Sequence, residues 1–166
     1  DQNWNPNLNN RVYALAVLGQ TVYLGGYFTT VDGGAELRNR AAAFGTDGNL
    51  DPNWNPNVNN GVYALAASGQ TVYIGGYFTT VDGGAELRNY AAAVGTNGTL
   101  DINWNPNLNN YVYALAALGS TVYLGGDFTT VGGGATQRNR AAAFETSGTL
   151  DQNWNPNVNS TVWALS

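Results

Sequence analysis

Residues 21–31 read TVYLGGYFTTV, and the same stretch returns almost unchanged at residues 71–81 and 121–131. The chain is therefore one 50-residue unit written three times, with ten differences between residues 1–50 and 51–100 and eleven between residues 1–50 and 101–150. Residues 151–166 begin a fourth copy. Repetition at a fixed period is typical of architectures in which neighbouring units stack and bury a shared core.

Each unit predicts short strands joined by tight turns. Residues 12–17 are apolar on both faces, as expected for a strand that is covered from both sides. Gly19-Gln20 predicts a two-residue hairpin turn, and Asp47-Gly48 predicts another. The run of three alanines and Phe44 at residues 41–44 is too short for a stable helix, so it predicts a strand with small side chains where sheets approach closely.

Residues 1–8 alternate, with asparagines on one side and Trp4, Pro6 and Leu8 on the other. This pattern predicts an extended segment. Because proline cannot donate to a ladder, Pro6 places the segment at a sheet edge or outside the sheet. The paired glycines Gly25-Gly26 predict a bulge or a close approach of two backbones.

Four short strands per unit predict an all-β chain of tandem four-stranded antiparallel blades of the β-propeller type, with three full repeats and a partial fourth. The predicted boundaries are residues 1–10 for the outer strand of a preceding blade, 11–60, 61–110 and 111–160 for three blades, and 161–166 for the start of a further blade. Three blades do not close a ring, since propellers have about four to eight. Open apolar faces therefore predict either a longer array or chains that complete one another as a ring or a filament.

The order of the motifs resembles a known family. V-Y-A-L-A, T-V-Y-L-G-G-Y-F-T-T-V, R-N-R-A-A-A-F and G-x-L-D-x-N-W-N-P-N together resemble the bacterial delta-60-type repeat, a β-propeller family of unassigned function, over the whole chain. The chain is more weakly similar to kelch repeats, which share a strand ending in Gly25-Gly26 and a later Trp54, but the Tyr-Asp-Pro signature before that Trp is missing. The resemblance implies a propeller in a secreted or cell-surface protein, and it implies no catalytic residue.

Composition narrows the classes of function. Six Arg, no Lys and eleven Asp or Glu give a net charge of −5, which disfavours nucleic acid and anionic membrane surfaces as partners. No apolar run is long enough to predict insertion into a membrane. Cys, Met and His are absent, which removes thiolate nucleophiles, imidazole bases and the commonest metal ligands. Because the chain begins with Asp1 rather than Met, we interpret it as a processed, excised or engineered piece of a longer protein.

Residues with side-chain oxygens at alternate positions predict one candidate cofactor, calcium. The candidate ligands are Asp1, Asn3 and Asn5, then Asp51, Asn53 and Asn55, then Asp101, Asn103 and Asn105. Each group has a single Asp and lacks the Gly and the distal Glu of an EF-hand loop. The favoured interpretation is an edge segment whose amides bond to the backbone or to one another, with no cofactor.

Two residue types recur at fixed places and are candidates for contacts to a ligand or partner. Trp4, Trp54, Trp104 and Trp154 predict either sugar-stacking faces or, preferably, rings buried between adjacent sheets. Arg38, Arg88 and Arg138 predict either a shared anion site or, preferably, side chains that join a loop to the neighbouring blade. Asp32 and Glu36 become Gly132 and Thr136, so no carboxylate arrangement is kept in all units and nothing favours an active site.

Three positions vary between the copies in a way that suggests tuned contacts. They are Arg11, Gly61 and Tyr111; Tyr27, Tyr77 and Asp127; and Arg40, Tyr90 and Arg140. If these side chains are exposed, they are where a repeat scaffold would adjust what it binds, although neutral drift gives the same pattern.

The sequence therefore predicts a non-enzymatic repeat scaffold, secreted or at the cell surface, that acts in self-assembly or protein binding. Its predicted partners are further copies of itself or a longer array of the same repeats. The alternative is a multivalent carbohydrate-binding propeller module whose partner is a glycan. A hydrolase is the least favoured class, because ionisable residues are so few.

Overall fold

The computed structural model describes residues 4–166, and each complete copy of the unit folds into the same five strands. The first copy contains β1 (Val12–Leu18), β2 (Thr21–Gly26), β3 (Thr30–Val31), β4 (Glu36–Leu37) and β5 (Ala41–Gly45). The second contains β6 (Val62–Ser68), β7 (Thr71–Gly76), β8 (Thr80–Val81), β9 (Glu86–Leu87) and β10 (Ala91–Gly95). The third contains β11 (Val112–Leu118), β12 (Thr121–Gly126), β13 (Thr130–Val131), β14 (Thr136–Gln137) and β15 (Ala141–Glu145). The prediction of an all-β chain of repeated antiparallel sheets is confirmed.

The three longer strands of each copy form one antiparallel sheet, in the order β1-β2-β5 in the first. We call residues 11–60, 61–110 and 111–160 units 1, 2 and 3. Leu18 pairs with Thr21 across Gly19-Gln20, and Gly19 has a φ of 60°, so the predicted hairpin turn is confirmed. Strands β3 and β4 form a separate small hairpin between β2 and β5, closed by a 3-10 turn at Asp32–Gly34.

The fourth strand of the predicted blade is reduced to one bridge, between Phe44 and Leu50 in unit 1. Just after this bridge the Asp51 carboxylate accepts a hydrogen bond of 2.9 Å from the backbone N–H of Asn53, which turns the chain away from the sheet. Each sheet therefore has three ladder strands. Residues 4–10, 51–60, 101–110 and 151–160, which we call the Trp segments, lie outside the ladders.

The paired glycines at the end of β2 lie where backbones approach closely, as predicted. The register shifts between Val12 and Ala14, which makes a bulge at Tyr13 opposite Gly25 and Gly26. A Cβ atom on Gly26 would lie 2.1 Å from the backbone oxygen of Arg11. A Cβ atom on Gly25 would lie 2.5 Å from Cγ1 of Val62, so the bare backbone at this position lets the next unit dock.

The units stack face to face, each sheet against the next. We call the side that points to the next unit the trailing face; in unit 1 it consists of Ala14, Ala16, Tyr23, Ala41 and Ala43. The opposite side is the leading face; in unit 2 it consists of Leu65, Val72, Ile74, Ala92 and Val94. These two faces share one core with Trp54 and Val58, and units 2 and 3 share an equivalent core with Trp104 and Leu108.

The first strands of the units lie side by side, with β6 next to β1 on one side and β11 on the other. This arrangement brings equivalent residues of successive units to one rim of the stack. Among the described residues, no helix has the length and apolar character needed to cross a bilayer.

Candidate functional site

The tryptophans of the Trp segments act as wedges between units. Trp54 and Trp104 are fully buried. Nε1 of Trp54 donates to the backbone oxygen of Gly95 at 3.1 Å, so the ring reaches forward into unit 2. Its other neighbour is Tyr23 of unit 1, with ring centroids 4.9 Å apart. The ring faces of Trp54 and Trp104 are therefore packed inside the molecule and are not free to stack on a sugar.

Trp4 and Trp154, which belong to the first and last Trp segments, make part of the same contacts. Nε1 of Trp4 donates to the backbone oxygen of Gly45 at 3.1 Å, and its ring lies 6.4 Å from Phe44. The ring of Trp154 lies 5.1 Å from Tyr123 of unit 3. Both rings are half-buried, since each touches a unit on one side only.

The asparagines of the Trp segments bond to the next unit. Oδ1 of Asn59 accepts from the backbone N–H groups of Thr79 and Thr80 at 3.0 and 3.1 Å, and Nδ2 of Asn59 donates to Oγ1 of Thr79 at 3.0 Å. Asn9 and Asn109 make the same three bonds in units 1 and 3. The Asn-rich composition therefore serves the junctions between units.

Among the calcium candidates that the structure describes, the Asp residues make local hydrogen bonds. The carboxylates of Asp51 and Asp101 accept hydrogen bonds from the N–H groups of Asn53 and Asn103, at 2.9 and 3.0 Å. Asn5, Asn55 and Asn105 are exposed, while Asp1 and Asn3 lie outside the described residues. Within residues 4–166, no group of three or more Asp or Glu side chains is placed to hold a metal ion.

The recurring arginines join a loop to a Trp segment. Arg38 is 6% exposed; its Nη1 donates to the backbone oxygen of Leu37 at 2.8 Å, and its Nη2 donates to that of Pro52 at 3.4 Å. Glu36 lies 3.5 Å from the same guanidinium. Arg88 repeats this arrangement. In unit 3 the carboxylate is replaced, and Arg138 instead donates to Oε1 of Gln152 at 3.2 Å.

The first strands place one aromatic ring per unit at the rim. These rings form what we call the aromatic column, which consists of Tyr13, Tyr63, Tyr113 and Trp163. Successive ring centroids are 5.6, 5.7 and 4.5 Å apart, and the last two pairs are stacked. Sequence reasoning missed this column. Its signal is an aromatic residue at the same place in every copy, but the bulge that turns Tyr13 to the rim is not visible in the apolar pattern of residues 12–17.

The three variable positions meet beside this column. At the boundary between units 1 and 2, the hydroxyls of Tyr27 and Tyr63 are 3.0 Å apart. Arg40 donates to the backbone oxygen of Tyr27, and its guanidinium lies 5.5 Å from the centre of that ring. A Cβ atom on Gly61 would lie 2.9 Å from the Tyr27 ring, so a small residue here accommodates a large one in the preceding unit.

The other two boundaries use different chemistry at the same place. Between units 2 and 3, the Tyr111 ring packs against Tyr77 at 4.3 Å and Tyr90 at 5.7 Å. After unit 3, Asp127 accepts a hydrogen bond of 2.6 Å from Oγ1 of Thr161 and lies 3.8 Å from Nη1 of Arg140. The variable residues are therefore contacts of one another, and each boundary carries its own matched set.

The hydroxyls of Tyr63, Tyr111 and Tyr113 favour their neutral form. Burial and the hydrogen bond with Tyr27 raise the pKa of Tyr63. A hydrogen bond with Tyr77, followed by burial, raises the pKa of Tyr111 to about 12. Burial and the Asp127 carboxylate raise the pKa of Tyr113.

A cavity of about 310 Å³ opens between these rings. It is lined by Tyr13, Tyr27, Tyr63, Tyr113 and Trp163. A groove beside it is formed by equivalent residues of β1, β6 and β11 and of residues 163–165, including Leu15, Leu65, Leu115 and Leu165. The rim therefore carries a cavity whose lining is entirely aromatic.

In comparisons with known proteins, no family model and no curated sequence matches this chain. The resemblance to delta-60-type repeats thus stays a prediction.

Proposed function

We propose that this chain is a non-enzymatic repeat scaffold that associates with further copies of itself through the faces of its end sheets. The single observation that carries the proposal is the exposure of Leu15. This leucine is 61% exposed on the leading face of unit 1, whereas the equivalent Leu65 and Leu115 are 9% and 8% exposed because the preceding unit covers them.

The opposite end of the stack offers the complementary surface. Leu118 lies on the trailing face of unit 3 and is 74% exposed, whereas Leu18 on the trailing face of unit 1 is half-buried against unit 2. Val17, beside Leu15, is 64% exposed.

A leading face and a trailing face pack together at both internal boundaries. Residues 161–166 already lie at the first-strand position on the trailing face of unit 3, since Val162 lies against Gly125 as Val62 lies against Gly25. A second copy therefore docks there by displacing this segment.

Head-to-tail contacts of this kind either close into a ring or continue as a filament. In the closed form, two chains complete a propeller of six blades, with the first strands around its centre. In the open form, the contacts repeat without limit and give a filament. The side-by-side placement of β1, β6 and β11 supports the propeller geometry. The resemblance to delta-60-type repeats supports a secreted or cell-surface location for such an assembly.

Light scattering across a range of concentrations tests the proposal. We expect the wild-type chain to form a species of two or more chains, and we expect Leu15→Arg to reduce the mass to that of one chain by placing a charge in the junction. Leu37→Arg is the matched control, since Leu37 is 71% exposed but lies on the β3–β4 hairpin. A wild-type chain that is monomeric at all concentrations contradicts the proposal.

A further inference from the structure

The aromatic cavity at the rim has features of a ligand site that are independent of self-association. We propose that it binds a small organic cation that carries a quaternary ammonium group. The cavity volume of about 310 Å³ lies at the lower end of the range for small-molecule sites.

The lining of the cavity suits a cation. Its five lining residues are four tyrosines and one tryptophan, and aromatic faces carry negative potential that attracts a positive charge. Tyr13 and Trp163 are 47% and 68% exposed, so the rings at the two ends of the aromatic column are accessible. The molecule already shows the same interaction internally, where the Arg40 guanidinium lies over the ring of Tyr27.

The hydrogen bonds made by the lining residues favour a quaternary ammonium ligand over a sugar. The hydroxyls of Tyr27 and Tyr63 bond to each other at 3.0 Å, and the Tyr113 hydroxyl donates to Asp127 at 3.4 Å. A sugar needs hydrogen-bond partners for its hydroxyls, and these groups already bond to each other. A quaternary ammonium group has no N–H to satisfy, so an aromatic lining stabilises it without further polar contacts.

The net charge of the chain also favours a cationic ligand. The raised pKa values of Tyr63 and Tyr113 keep these two hydroxyls neutral, so their rings add no negative charge that the ligand's neighbours would have to balance. The Asp127 carboxylate lies next to Tyr113, but Nη1 of Arg140 at 3.8 Å offsets its charge. The chain as a whole carries a net charge of −5, which favours the approach of a cation over that of an anion.

Calorimetric titration of the intact chain with choline tests the proposal. The control ligand is the uncharged carbon isostere of choline, in which a tert-butyl group replaces the trimethylammonium group. Since the two differ only in charge, we expect choline to bind saturably and at least about fivefold more tightly. Equal affinity for the two ligands, or no saturation by choline, overturns the proposal.

Variants at two rings locate the site. Tyr63→Leu and Trp163→Leu keep apolar volume but remove a π-face, and each is expected to weaken choline binding by about threefold to tenfold. Tyr63→Phe keeps the ring and removes only the hydroxyl, so it should retain the wild-type affinity. Because Trp163 is mostly exposed, its replacement leaves the fold intact. Wild-type affinity in both leucine variants overturns the proposal, and so does saturable binding of a neutral oligosaccharide that these variants abolish.

Discussion

The core and the rim of each unit boundary lie within one interface but differ in how much their residues vary between copies. The core keeps a tryptophan wedge, a close glycine contact and alanines on the trailing face in every copy, and its buried variable positions exchange one apolar residue for another, as Phe44 does for Val94. The rim differs at every boundary, with Tyr27 and Gly61 at one, Tyr77 and Tyr111 at the next, and Asp127 and Thr161 at the third. The core therefore fixes how units stack, and the rim is free to change its chemistry without altering the stack.

Removing a wedge from the core should have the largest effect. Trp54→Ala leaves a cavity between two sheets and removes one of the two hydrogen bonds that the backbone oxygen of Gly95 accepts, so we expect it to lower the free energy of unfolding by about 3 to 5 kcal/mol. Trp163→Ala at the rim is the matched control and should cost less than about 1 kcal/mol, because its ring is mostly exposed. Urea denaturation measures both. Similar losses in the two variants would remove the distinction between core and rim.

Adding one methyl group to matched glycines should have an intermediate effect. A Cβ atom on Gly76 would lie 2.1 Å from the backbone oxygen of Gly61, which cannot move without distorting β6. We expect Gly76→Ala to lower the free energy of unfolding by about 1 to 3 kcal/mol.

Gly61→Ala is the control at the rim. Its Cβ atom would meet ring atoms of Tyr27 at 2.9 Å and of Tyr63 at 3.2 Å, and these are side-chain atoms that can shift, unlike a backbone oxygen. The same denaturation experiment should therefore show a smaller loss for Gly61→Ala than for Gly76→Ala, and the reverse order contradicts the assignment of the two sites.

The smallest expected effect is a change in pH dependence at the rim. Tyr111 has a pKa of about 12 in the folded chain, raised first by its hydrogen bond with Tyr77, against about 10 in an unfolded chain. The folded state therefore holds this proton more tightly. The resulting stability is complete below about pH 10 and is lost as pH rises through about 12.

Tyr77→Phe should lower the pKa of Tyr111 toward its ordinary value. Titration of the Tyr111 ring carbon shift by NMR in the wild type and the variant measures this change. Tyr123→Phe, on the trailing face of unit 3, should leave the Tyr111 titration unchanged. An unaltered Tyr111 midpoint in Tyr77→Phe would show that the rim hydroxyls do not interact as described.

Much of the fold could be predicted from the sequence because its signals are local. The turn at Gly19-Gln20, the strand at residues 41–44 and the close approach at Gly25-Gly26 each follow from a few adjacent residues. The reduced fourth strand could not be predicted, because the alternation of residues 1–8 is the same for an edge strand and for a wedge that lies outside the ladder.

The candidate site was harder to predict, because its residues meet across units. Tyr27 and Tyr63 are 36 positions apart and touch only because the first strands lie side by side. The sequence did show that positions 11, 27 and 40 of the unit vary, and the structure brings these positions together. The glycine pair Gly25-Gly26 predicted a bulge or a close approach, but no local pattern showed that the bulge lies on the partner strand at Tyr13 and places that ring next to the variable positions.

The proposed head-to-tail junction is tested most directly by complementation of two variants. Leu15→Arg blocks the leading face of unit 1, and Leu118→Arg blocks the trailing face of unit 3. Each variant alone should be monomeric in light scattering, because every junction needs one of each face. An equimolar mixture should form a two-chain species, since each variant supplies the face that the other lacks. A mixture that stays monomeric, or a single variant that still associates, would contradict the head-to-tail account.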